Sequence, residues 1–316
     1  MASSAKSFYR PAAWIALACL VVPMFASYYF DDMFSSISYL FENPSLTALG
    51  WDAAGYGLYT SGYSVLCVFG GLVVGGILLD KWGVRVTGSL FVGLMVAGAG
   101  MVLWALLGGQ DWSLKLAYAG CMIFGLGSEI AGTAVTRSIA KWFKGGPMAF
   151  AMGLQLAIAR LGTAFALVIA PVLVKQQADH VYTLAETARP AQVGMGLMAL
   201  GLILWAVFVA LDARFDKRHR ADRASSAPGE EDAFRLSDVL KVLGNKNFWL
   251  LGLLCVLFYS SIIAFKKFAG AILIPRFDIP ASAAGWMVSM LPFSTVVFAP
   301  LFGMLVDKVG HGTRWM

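Results

Sequence analysis

The chain has 316 residues, of which 59% are hydrophobic and 13% charged, with a formal net charge of +6. A water-soluble domain carries about 25% charged residues, so this composition excludes an ordinary soluble fold and points to lipid as the solvent. The basic balance does not indicate nucleic acid, because the Lys and Arg residues sit in short polar stretches between apolar runs, as membrane topology requires.

A spanning helix takes about 20 apolar residues. The pattern predicts eight, near 12–40, 54–79, 87–109, 113–142, 147–174, 192–213, 248–275 and 282–306. The N-terminal segment "MASSAKSFYRP" is short and polar, and the run after it is too long for a signal-peptide core, so it reads as the first span. With the N-terminus inside, the cytoplasmic segments collect Lys81, Arg85, Lys141, Lys144 and the run Lys217, Arg218, Arg220, Arg223. The opposite side holds Lys115, Lys175, Arg189 and Arg276, which fits the positive-inside rule. Residues 214–246 are charged and poor in apolar side chains, the composition of a flexible linker, with a short surface helix expected over Leu236–Lys246. The expected organisation is a six-helix bundle (1–213), a cytoplasmic linker (214–246) and the first two helices of a second bundle (247–316).

Cys19, Cys67, Cys121 and Cys255 fall inside apolar runs and lack metal-ligand spacing. His180, His219 and His311 lie in polar loops. No nucleotide loop, metal cluster or nucleophile–base constellation is apparent, so neither an enzyme nor a cofactor is expected.

One stretch repeats. "GGILLDKWGVRVTG" ends the second span and "GMLVDKVG" ends the eighth, with Gly76, Asp80, Lys81 and Gly83 matched at one offset by Gly303, Asp307, Lys308 and Gly310. Together with Arg85, this resembles the signature loop of the major facilitator superfamily and its echo in the second half. The resemblance implies an all-α membrane fold of two parallel six-helix halves working by alternating access. Twelve helices are the rule there, so about eight are expected here. The resemblance also implies that each motif carboxylate stabilises one conformational state through a helix N-terminus in the other half. For Asp80 that partner would be an eleventh helix; for Asp307 it would be the amides around Gly146–Met148, where Pro147 opens the fifth span.

Ionisable side chains at membrane depth need a reason. Glu129 and Arg160 lie near the middle of the fourth and fifth spans. They form either a locking ion pair or a site for a substrate bearing both charges. "FGLGSEIAGTAV" and "KWFKGGPMAFAMGLQLAIARLGT" resemble the matching helices of a dipeptide-transporting branch of the superfamily, as does "YSVLCVFGGLVVGGILLDKWGVR". That resemblance implies that Glu129 and Arg160 engage the two ends of a dipeptide. Asp31 and Asp32 are either a gate or proton site, with Asp32 a substrate contact, or plain helix-end charges. Lys266 and Lys267 either snorkel or pair with those aspartates. Arg137 is expected to snorkel or to pair near the motif loop. Tyr28, Tyr56, Tyr59 and Tyr63 either line the cavity, with Tyr59 a substrate contact, or pack.

The expected function is a multi-pass secondary transporter of dipeptides or similar small zwitterions, moved passively or with protons, in a plasma or inner membrane. A carrier for an organic anion or drug, and a truncated membrane protein that does not transport, are the alternatives. The expected partners are the small solute and the lipid bilayer.

Overall fold

The computed structural model describes residues 2–175, 180–218 and 244–309. Long helices dominate: α1 (Ala2–Asp32), α2 (Ala53–Leu66), α3 (Leu72–Gly108), α4 (Ser113–Trp142), α5 (Met148–Leu173), α6 (Arg189–Arg218), α7 (Lys246–Lys267), α8 (Ala269–Phe277) and α9 (Ala281–Val309). A five-residue π-turn, Cys67–Gly71, joins α2 to α3, so Ala53–Gly108 is one helical run of 56 residues. A straight helix of that length would reach about 84 Å, against an apolar bilayer core of about 30 Å. The run turns back at Gly83, whose φ of 76° and ψ of 171° lie outside the range open to other residues. Thr87 Oγ1 then donates to Leu78 O at 2.8 Å, a contact nine residues apart that only a hairpin permits. Among the described residues, seven continuous runs are long and apolar enough to span, and the fold at Gly83 divides one of them into two, giving eight candidate crossings.

Two predicted spans divide. The first ends as an α-helix at Asp32, and its last residues form a separate 3₁₀ helix, Ser35–Glu42. The seventh breaks at Phe268 into α7 and α8. The expected linker falls mostly, and its surface helix almost wholly, outside the described residues.

Glycine sets the helix spacing. In a membrane the helices gain little from the hydrophobic effect, so small residues that let backbones approach supply the packing. A Cβ on Gly98 would lie 2.4 Å from Phe124 N, and one on Gly127 2.5 Å from Met95 N. These contacts run antiparallel, pairing the second arm of α3 with α4. On the other side, Gly125 meets the Tyr63 backbone and Gly75 meets Ile130, so α2 and the first arm of α3 run parallel to α4. The half that begins at α7 joins the rest along α9. Gly285 abuts Leu167 O, Gly153 abuts Ala299 O, and Gly303 abuts Ala149 O, so α5 and α9 are antiparallel and close over their whole length. By contrast, α7 touches the rest only near its C-terminal end, where Lys266 and Lys267 are its buried residues.

Gly98→Ala should lower the thermal midpoint of the purified protein, since the methyl meets backbone that cannot yield and overpacking costs about 1–3 kcal/mol. Gly93→Ala, where an added Cβ finds open space, should leave the midpoint unchanged or raised. Equal behaviour of the two variants in a thermal melt would contradict the packing described.

Candidate functional site

Three groups of polar side chains are strung along the bundle: at the Asp80 end, at the Asp32 end, and between them.

At the Asp80 end the charges are paired. Arg137 Nη2 bonds Asp80 Oδ1. Arg85 Nη2 lies 2.9 Å from Asp216 Oδ2, and its Nε 3.5 Å from Asp212 Oδ2. Lys141 Nζ reaches the same two aspartates at 2.6 and 2.9 Å, and Trp142 Nε1 donates to Asp212 at 2.9 Å. Asp212 and Asp216 were not singled out from sequence. The signal was present: they stand four apart on α6, as Arg137 and Lys141 stand four apart on α4, which puts each pair on one helix face. Lys81 is exposed. Gly83 makes the turn. An added Cβ at Gly76 would meet open space, whereas its counterpart Gly303 sits against Ala149 O. Gly310 lies outside the described residues. Asp307 accepts from two amides at the start of α5, Ala149 N at 3.1 Å and Phe150 N at 2.7 Å. Both amides lie in the first turn of the helix that Pro147 introduces, just past the Gly146–Met148 stretch. Lys308 is exposed.

At the other end, four charges from the two halves meet. Lys266 Nζ lies 2.7 Å from Asp32 Oδ2, and Lys267 Nζ lies 2.8 Å from Asp31 Oδ1 and 3.1 Å from Asp32 Oδ1. Thr163 Oγ1 adds a bond to Asp32 at 2.8 Å, and Tyr56 OH donates to Lys267 O at 3.0 Å. Asp32 is 0% exposed. Its carboxylate is therefore taken up by lysines of the second half, and in this conformation it does not stand open to a solute. The 3₁₀ helix caps the cluster, with Ser38 Oγ accepting from Ala271 N at 3.0 Å. Tyr59 is packed with Phe34, Trp51 and Tyr56, at ring separations of 5.8, 5.6 and 6.4 Å, so it belongs to this aromatic plug.

Between the two ends stand Glu129 and Arg160, midway along α4 and α5. Neither makes an ion pair among the described residues, including with each other. Tyr63 OH donates to Glu129 Oε1 at 2.8 Å and lies 3.1 Å from Ser128 Oγ, which bonds Ser27 Oγ. The Arg160 guanidinium sits over the Tyr28 ring, 5.2 Å from its centre. Glu129 is exposed and Arg160 half-buried. A carboxylate and a guanidinium without ion-pair partners among the described residues thus stand at mid-bundle. Arg can grip a carboxylate with two parallel bonds, and Glu can accept from an ammonium.

The sequence model of the Major Facilitator Superfamily matches residues 20–316. The chain belongs to that superfamily. It is similar to the lysosomal dipeptide transporter MFSD1 of Homo sapiens, 27% identical over 265 residues, covering 83% of this chain and 54% of that protein. MFSD1 of Danio rerio is 29% identical over 269 residues, at 83% and 54% coverage. The chain spans about half the length of the curated relatives it matches. It is a multi-pass membrane protein with the all-helical architecture of its superfamily.

Asp32→Ala should destabilise the protein by about 3–5 kcal/mol, because Lys266 loses its carboxylate while staying buried. Removing both charges, with Asp32→Ala and Lys266→Met together, should restore most of that loss in a thermal melt. A double variant no more stable than the single one would show that the charge pair is not what matters there.

Proposed function

We propose that this chain forms part of a secondary transporter that moves dipeptides or similar small zwitterions by alternating access. The observation that carries this reading is the pair of opposite charges, Glu129 and Arg160, left unneutralised at mid-bundle. Charge at membrane depth costs a few kcal/mol or more, so two unpaired groups there call for a ligand that brings the complementary charges. A dipeptide brings both. Its two residues place the ammonium and carboxylate up to about 7 Å apart, and the peptide unit between them is common to every side-chain combination. In this assignment Arg160 takes the carboxylate and Glu129 the ammonium. The relatives, named as dipeptide transporters, support the substrate class.

The same reading gives the two ends distinct work. Asp31, Asp32, Lys266 and Lys267 form the gate at one end, aided by the aromatic plug of Tyr56 and Tyr59. Asp307 on the α5 N-terminus is a latch at the other, and Gly76, Asp80, Lys81, Gly83 and Arg85 with Gly303, Lys308 and Gly310 are the conformational motif around it. In this reading the Asp80 end faces the cytoplasm, which the distribution of basic residues supports, with residues 1–213 as the first half, 214–246 as a cytoplasmic connection and 247–316 as the beginning of the second half. The relatives are named as lysosomal, which lends no support to a plasma-membrane address. Proton coupling would require Glu129 or the gate carboxylates to change protonation during the cycle.

A thermal-shift screen of the purified protein against a dipeptide panel tests the substrate class, because a specific binder stabilises by mass action. Dipeptides should raise the midpoint and N-acetylated, C-amidated analogues should not. Arg160→Lys keeps the charge but loses the two-pronged grip, so the dipeptide-induced shift should largely disappear. A full shift in that variant would remove Arg160 as the carboxylate anchor, and a panel without a binder would favour a carrier of another solute.

A further inference from the structure

Opposite charges on long side chains attract, yet Glu129 and Arg160 form no ion pair with each other among the described residues. Each is held by a tyrosine from a different helix. Tyr63, on α2, donates its hydroxyl proton to Glu129 Oε1. An ionised carboxylate only accepts, so the Tyr63 oxygen must in turn accept from Ser128, and Ser128 from Ser27. All three protons of this chain point toward Glu129, and its members come from α1, α2 and α4. Tyr28, on α1 and next to Ser27, offers its ring face to the Arg160 guanidinium.

We infer that Tyr63 and Tyr28 are positioning residues that hold Glu129 and Arg160 apart and so set the length of zwitterion the cavity accepts. The inference rests on the reading of Glu129 and Arg160 as the two charge anchors. A single amino acid, whose charges share one α-carbon, cannot satisfy both anchors at once while they are held apart. A dipeptide can. Without Tyr63's bond, Glu129 is free to swing toward Arg160, the two charges neutralise each other, and the substrate has to separate them before it binds. The hydroxyl chain also leaves Glu129 with acceptor capacity to spare, since Tyr63 occupies only one of its lone-pair directions.

The test uses the protein reconstituted in liposomes, with uptake of a labelled dipeptide competed by a single amino acid, a dipeptide and a tripeptide. Tyr63→Phe removes one hydroxyl from a ring of unchanged shape. It should raise the dipeptide KM about tenfold, the expected scale for a bond to a charged group, with the maximal rate largely kept. The preference for dipeptide over single amino acid should narrow by a similar factor. Tyr28→Leu should act likewise, while Tyr28→Phe, which keeps the ring face under Arg160, should retain the wild-type selectivity. If Glu129→Gln and Arg160→Lys abolish uptake but Tyr63→Phe and Tyr28→Leu leave length selectivity intact, the tyrosines merely pack and the inference is overturned while the anchors stand. If Glu129→Gln and Arg160→Lys transport as the wild type does, the anchor assignment fails and takes this inference with it.

Discussion

A charge placed in hydrocarbon is costly unless something nearby neutralises it, and this constraint organises the polar side chains of the bundle. At the Asp80 end, Arg137 neutralises Asp80, while Arg85 and Lys141 together neutralise Asp212 and Asp216. At the opposite end two lysines meet two aspartates. Glu129 and Arg160 depart from the pattern. They are held by tyrosines, which orient them without cancelling their charge. The contrast separates charges that pair across the bundle from two that do not.

The backbone makes this arrangement possible. Glycine contacts bring α4 close to α2 and α3, and the short side chains of Ser128 on α4 and Ser27 on α1 bridge those two helices directly. The α5–α9 contact is equally close, and the chain from α7 onward touches the rest again at the lysines of α7 and where α8 meets the 3₁₀ helix, with Ala271 N donating to Ser38 Oγ. Arg160 sits midway along α5, the same helix that carries the Asp307 contact at its start and Thr163, a bond to Asp32, one turn further on. A shift of α5 would therefore be felt by the mid-bundle site and by both ends.

Much of this was legible in the sequence, for identifiable reasons. Hydropathy marked the crossings, because lipid leaves few alternatives to apolar helices. The motif turn was legible because Gly83 follows an apolar run and a charged pair. Glu129 and Arg160 stood out because charges at mid-span are rare. The end of the first span and the break at Phe268 were not legible. The 3₁₀ helix Ser35–Glu42 and α8 are as apolar as the spans they follow, so composition could not distinguish a cap from a continuation. Nor was the choice between Asp32 as a solute contact and as a gate residue open to sequence reasoning. It depends on which neighbour of two lysines, over two hundred positions away, comes within hydrogen-bond distance.

The two copies of the repeated turn end up with unlike partners. Asp80 bonds a guanidinium on α4, within its own half, while Asp307 bonds two amides at the start of α5, in the other half. A carboxylate on a helix N-terminus is stabilised by about 0.3–2 kcal/mol, and it needs no side chain to reorganise when it leaves. Separating the halves at that end breaks the Asp307 contact and leaves the Asp80 pair intact. At the Asp32 end the same movement would have to part buried lysines from buried carboxylates, at a larger cost and with water needed to replace each lost partner. The two ends therefore resist opening unequally: a soft contact with exposed groups at one, a stiff buried cluster at the other.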